Sequence, residues 1–267
     1  MTTFIPPTYL AEKNHHERDD HILFDEPTHT YTIDGESDYM SATTFVHSHF
    51  DHFDADKIID KMMKGRNWKP GYKYYGMTKE QIKEMWENNG KEASQAGTKM
   101  HYDIECFYNN CPNENDSVEY SYFKNFQEKY SHLIPYRTEW TVYDKELKLA
   151  GSIDMVFKDP ESDALLIYDW KRCKDINKSP AFIKYSHNKL IEHIIDTNFW
   201  HYSMQLHIYK AILEKNYGVK VNELYLVCLH PNKDNYRRIK VADLSREVQL
   251  LFDQRKQYVL SLSQVSK

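Results

Sequence analysis

From Arg137 to Lys171 the apolar residues of this chain recur with a period of two. They do so in three consecutive stretches, RTEWTVY, LAGSIDMVFK and ALLIYDWK, separated only by short turn-rich segments such as DPESD. Alternation of that kind builds strands, and connections this short allow neighbouring strands to run only antiparallel, so the spacing predicts a three-stranded meander. Segments with helical periodicity lie before and after it. The chain is therefore expected to be α/β, with a mixed central sheet flanked by helices.

Before the meander, residues 1–20 carry Pro6, Pro7 and a charged run, which predicts a flexible or loosely docked arm. A short hairpin is expected from HILF and HTYTI. Ser41 and Asp54 are placed to cap two short helices, the second with Ile58, Ile59, Met62 and Met63 as its core stripe. The segment NWKPGYKYYG reads as an aromatic, basic loop, and Thr78 with Gln81 forms a capping box for a helix that buries Ile82, Met85 and Trp86. A second helix is expected over Glu92–Asn109, with Ala93, Ala96, Met100, Ile104 and Phe107 inward, and a further one capped by Asp116. After the meander come a polar, basic linker to about Thr197, a helix ending at Gly218, two more strands and an amphipathic closing helix. This divides the chain into an arm (1–20), a mostly helical N-terminal region with a hairpin (21–90) and a core (91–267).

At 267 residues the chain is long enough to bury a substantial core. Its net charge of -5 excludes a uniformly basic coat but leaves room for a local basic cluster. The four cysteines lack CxxC spacing, so no zinc site is expected. No run approaches the ~20 apolar residues of a membrane span, and a soluble, intracellular protein without a membrane partner is expected.

The meander also carries polar residues where packing strands do not want them. Asp154 interrupts the second stretch. Asp169 and Lys171 close the third, two residues apart and so on one face. Grouped carboxylates repel unless a cation joins them, and oxygen donors on neighbouring strands suit a hard divalent metal. Gly97, His101 and Glu105 recur every fourth residue and share one helix stripe.

An acid on one strand followed by acid-x-Lys on the next resembles the PD-(D/E)xK nuclease superfamily. Gly151-Ser152-Ile153-Asp154 resembles the GxID form of its RecB-like branch, and Gln205 with Tyr209 matches the QxxxY motif of that branch. Gly97–His101 with Glu105 looks like the helix that delivers a histidine, and Glu139 lies on the strand before Asp154, where relatives often carry another acid. The segments HTYTIDGE, SATTF, YYGMTKEQIKEMW and EASQAGTKMH look similar to RecB-like nucleases of large DNA viruses and phages.

The resemblance implies a PD-(D/E)xK core and a metal-dependent nuclease, an exonuclease or structure-dependent enzyme of DNA replication, repair or recombination. Asp154, Asp169 and Lys171 would be catalytic. Mg²⁺ or Mn²⁺ would be held by His101, Asp154, Asp169 and the main-chain carbonyl of Trp170, with Glu105 and Glu139 behind them. Gln205, Tyr209, Arg172 and Lys174 would contact DNA that is single-stranded or has free ends. Apart from the resemblance, the aromatic loop with Trp68, Tyr72, Tyr74, Tyr75, Lys69 and Lys73 reads first as packing, with a stacking platform for single strands as the alternative. Some relatives bind an iron-sulphur cluster through several cysteines after QxxxY; only Cys228 lies there, and no cluster is expected. Alternatives are an RNA endonuclease of the cap-snatching type and a catalytically silent nucleic-acid-binding domain.

Overall fold

The computed structural model describes residues 5–180 and 182–265. The meander is present: β4 (Ile134–Asp144), β5 (Leu149–Lys158) and β6 (Leu165–Lys171) pair antiparallel in chain order. After β6 the chain crosses through α6 (Asn198–Asn216) and returns as β7 (Val221–Cys228), parallel to β6; β8 (Arg237–Lys240) pairs antiparallel on the outer edge of β7. A two-residue strand that the sequence pattern is too short to announce, β3 (Met40–Ser41), adds parallel to the start of β5. The result is a six-stranded mixed sheet.

Helices cover both faces. One face packs Trp140, Ile153, Ile167 and Leu226 against α6, α2 (Ala42–His47) and α7 (Ser245–Val265). The other packs Phe157, Tyr168 and Trp170 against α4 (Lys79–Tyr108) and α5 (Val118–Lys129). β6 is buried along nearly its whole length, as a strand roofed on both sides must be. Among the described residues no helix is long and apolar enough to cross a membrane.

Local signals that depend on neighbouring residues fold as expected. Ser41 accepts from Thr44 N, Asp54 caps α3 (Ala55–Met63), and Thr78 with Gln81 closes a capping box on α4. Gly218 follows α6 at φ +65°, where glycine is free of the Cβ clash. The hairpin β1 (Ile22–Asp25) and β2 (Thr30–Ile33) forms in register and buries Ile22, Tyr31 and Ile33 against Tyr143 and Ala150.

Other expectations are corrected by long-range contacts. Residues 9–21 are not a loose arm: α1 (Tyr9–Lys13) and a 3-10 turn at Glu17–His21 lie along β4. Leu10 is buried, Asp19 joins both Arg137 and the Trp140 indole, and the Arg18 guanidinium lies 4.0 Å from the Tyr143 ring centroid. The division at residue 90 falls inside α4, a single 30-residue helix. Asn88, Asn89 and Gly90 are weak helix formers at a cost of about 1 kcal/mol or less each, too little to break a helix anchored at both ends. Ser117, not Asp116, caps α5. Of the expected stripe on α3 only Ile59 is buried; Ala93 is exposed, and Met85 and Trp86 are half-buried.

Candidate metal and phosphoryl-transfer site

The antiparallel ladder between β5 and β6 ends at Met155↔Tyr168. Beyond it the two strands part, and β6 follows β7 while the front of β5 stays with β4 and β3. Continuing the registers places Glu139, Asp154 and Asp169 in one row across β4, β5 and β6. Like charges directly opposite one another destabilise a sheet, and here Lys171 Nζ, 2.7 Å from Asp169, and His101, 3.5 Å from Asp154, offset the row. The backbone records the tension: Glu139 sits at φ +41°, a left-handed conformation unusual for a side chain of its size.

α4 brings His101 to the same place from outside the sheet. Its Nε2 lies 2.8 Å from the Trp170 carbonyl oxygen, while Nδ1 is 3.5 Å from Asp154 Oδ2 and 3.8 Å from Glu139 Oε1. Asp154 Oδ2 also accepts the Trp170 amide at 2.8 Å, and Glu139 Oε2 accepts the Ser152 hydroxyl at 2.8 Å. His101, Glu139 and Asp154 each offer an atom within 4.8 Å of the others, the spacing of a shared cation. Imidazole nitrogen, two carboxylates and a main-chain carbonyl together form a mixed N/O donor set that suits Mn²⁺ as well as Mg²⁺.

Asp169 stands differently from the expectation that made it a ligand. It is buried with its Oδ2 2.7 Å from Lys171 Nζ, an ion pair whose angles fall outside hydrogen-bond geometry and leave that oxygen without a hydrogen bond. Lys171 also lies 4.6 Å from the ring centroid of Tyr202. Glu139, expected behind the ligands, groups with His101 and Asp154 instead.

Titration follows this crowding. Burial favours neutral His101, but Asp154 and Glu139 outweigh it and hold the imidazole at about 9. Burial pushes Asp169 up to about 6 against the pull of Lys171, and raises Asp154 against the pull of His101 and Lys171. Glu105, one turn beyond His101, is raised to about 8 by burial, with Glu139 and Glu26 adding. Burial opposes the charge on Lys171, yet Asp169 and Asp154 raise its pKa.

The residues expected on nucleic acid separate. Tyr209 is buried and covers Gly151: a Cβ on Gly151 would meet Tyr209 Cε1 at 2.6 Å, so the glycine of GxID exists to admit this ring. Gln205 donates to the Tyr209 hydroxyl at 3.0 Å and to Thr43 Oγ1 at 2.9 Å, tying α6 to α2. Gln205 thus stays at the edge of the site, whereas Tyr209 is a packing residue, not a contact. Arg172 is held by the buried Glu119 at 2.6 Å. Lys174 is exposed and forms no ion pair among the described residues.

Three residues escaped the sequence reading. Tyr31 packs with Ala150 at the front of β5, Tyr202 supports Lys171, and Thr43 positions Gln205. Tyr202 was findable, since it lies one turn before Gln205 on the same helix; Tyr31 and Thr43 needed the tertiary fold. The structure also brings Cys173 and Cys228, remote in sequence, to 3.9 Å between sulfurs.

No family model matches the chain, and no curated protein matches it. Among solved structures, one titled "Crystal structure of SSO0001" aligns over 84% of this chain and 77% of its own, at 10% identity and a TM-score of 0.32. At that score the backbones differ too widely for the likeness to carry fold or function across. What the chain shows by itself is a mixed α/β fold, its sheet flanked by helices, with His101, Glu139 and Asp154 clustered where two central strands part.

Proposed function

We propose that the protein is a metal-dependent nuclease that hydrolyses DNA phosphodiester bonds, built on a PD-(D/E)xK core of the RecB-like kind. One observation carries this reading. His101 from α4, Glu139 from β4, Asp154 from β5 and the Trp170 carbonyl from β6 converge beside the half-buried ammonium of Lys171. Four elements do not bring such a donor set together for packing, because apolar residues would fill the same space without the cost of buried charge.

His101, Glu139, Asp154 and the Trp170 carbonyl would hold Mg²⁺ or Mn²⁺, with Asp169 adjoining through Lys171. Such an ion, when bound, lowers the pKa of water and stabilises charge on a scissile phosphate. The chain's own residues do the rest. Asp169 keeps Lys171 charged and fixed, so that its ammonium offsets negative charge developing on the phosphoryl oxygens. The Trp170 amide orients Asp154, the Ser152 hydroxyl orients Glu139, and Tyr202 walls off Lys171 from water. His101, whose imidazole Asp154 and Glu139 hold at about 9, would have to give up a proton to hold the ion, so binding would strengthen as pH rises.

The test is digestion of end-labelled linear DNA, closed circular DNA and matched RNA with Mg²⁺, Mn²⁺ or chelator. Cleavage of linear DNA should require the ion. Asp154→Ala and Lys171→Ala should each lower it by about 10³-fold or more. Cutting in chelator, or full activity in both variants, would sink the reading; degradation of RNA alone would move the substrate from DNA to RNA, and cutting of closed circles would exclude a strict exonuclease.

A further inference from the structure

The segment between Phe53 and Lys99 is built unlike the rest of the molecule. Only Ile59 and Ile82 are buried in it. α3 packs against the first turns of α4, and α4 then runs through residues 87–95 with every side chain exposed before Met100 and His101 reach the sheet. α4 thus carries α3 and the loop after it as an outrigger. At about 1.5 Å per residue, Trp86 stands ~22 Å along the axis from His101.

Charge concentrates on this outrigger. Residues 61–79 contain Lys61, Lys64, Arg66, Lys69, Lys73 and Lys79 and no Asp or Glu, in a chain of net charge -5. Lys79 is spent on Asp56 and Asp60. Lys64, Arg66 and Lys69 are exposed and form no ion pair among the described residues. Aromatic rings lie between them: Trp68 is 6.0 Å from Tyr72 and 6.1 Å from Tyr75, centroid to centroid. None of these rings is buried, and Tyr75 is 47% exposed. A small core explains rings that touch one another, but not rings left open among unpaired cations. Beside them, Met62, Gly65, Arg66, Asn67 and Tyr72 line an open cleft of about 390 Å³. Phe182, 86% exposed on the segment that follows β6, lies with its ring 5.9 Å from Lys61 Nζ and extends this surface.

Unpaired cations offset phosphates, and open rings stack on bases that a duplex keeps hidden. The geometry points to residues 64–75 as a clamp for single-stranded nucleic acid, set apart from the candidate active site. That a strand held there runs on to His101 rests on the nuclease reading; the binding itself does not. Tyr74 lies 6.0 Å from Trp86, ring to ring, and at a stacked spacing of about 3.4 Å the ~22 Å from Trp86 to His101 corresponds to on the order of six nucleotides.

The test is fluorescence anisotropy on the full chain, in chelator, with labelled dT20, U20 and a 20-base-pair duplex. Trp68→Ala and Tyr75→Ala should each weaken binding of the tighter single strand by about tenfold, while Trp68→Phe keeps most of it. Joint replacement of Lys64, Arg66 and Lys69 by Ala should reduce the slope of log K against log salt by about 2. The duplex should bind more weakly and ignore the aromatic changes. Whether dT20 or U20 binds tighter names the sugar. Thermal melting of each variant separates lost contact from lost fold. Unchanged single-strand affinity in folded Trp68→Ala and Tyr75→Ala, or a duplex bound as tightly as either single strand, overturns the clamp. Because binding is read without divalent ions, a clamp that binds in a protein that never cleaves would sink the nuclease reading alone, and cleavage with lobe variants binding as the native chain does would sink the clamp alone.

Discussion

Two kinds of buried or half-buried acid occur in this molecule. Asp144, at the end of β4, accepts from the Leu147 amide, Lys215 Nζ and Asn216 Nδ2, each at 2.9 Å. Asp103, on α4, is likewise enclosed by Lys99, Asn113 and Asn115. These carboxylates are surrounded by donors, as a structural buried charge must be. Glu139, Asp154 and Asp169 instead share a row with one another, and two of them have pKa values raised by burial. The difference separates acids that hold the fold from acids kept in place for something else. Proximity to other acids, more than burial, marks the site.

The contrast is broken most directly by exchanging the outcomes of mutation. Asp144→Ala strands a buried amide and loses a charge-assisted bond, and should lower stability by about 2 kcal/mol, read from denaturant melts. Asp154→Asn removes repulsion in the row and should leave stability without divalent ions unchanged or higher, while abolishing cleavage. Equal losses of stability in both would erase the distinction.

A second test concerns why Gly151 precedes the site. Gly151→Ala drives a methyl group into Tyr209 and should cost about 1–3 kcal/mol. Tyr209→Leu frees that space, so the double variant should lose clearly less than the sum of the singles. Additive losses would mean that the ring does not rest on the glycine.

The smallest expected effect is on pH dependence. Glu105, Asp169 and His101 have folded pKa values of about 8, 6 and 9, each above its ordinary value of 4.5, 3.8 and 6.5. The folded state therefore binds protons more tightly than the unfolded chain. The stabilisation is complete below the ordinary values and is lost as pH rises through the folded ones. In chelator, Tm should fall between about pH 7 and pH 9, above the range in which His49, His201 and His207, whose pKa values burial lowers, act in the opposite direction, and Glu105→Gln should flatten that fall. A Tm that is level or rising over that range would contradict the placement of these groups.

Legibility in the sequence followed the range of the interactions. Caps at Ser41, Asp54 and Thr78 involve residues three apart and were readable, as were the strands, whose period is local. The docking of residues 9–21 depends on Arg137 and Trp140, more than a hundred residues away, and looked like a loose arm. At the site, His101, Asp154 and Lys171 were legible as residue types at suggestive places. The exchange between Asp169 and Glu139 was not, because it depends on where β5 and β6 part. Gln205 and Tyr209 were legible as a pair, but their division of labour was set by a glycine on another element. Arg172 looked free because its partner, Glu119, lies on a helix fifty-three residues earlier.

The central claim is that four elements converge to hold one divalent cation. Titration of Mn²⁺ at pH 8, followed by electron paramagnetic resonance, tests it without reference to any substrate. One site should be filled in the native chain, lost in Asp154→Ala and weakened by about 10–100-fold or more in His101→Ala and Glu139→Gln. No bound Mn²⁺, or binding unaffected by Asp154→Ala, would contradict the account.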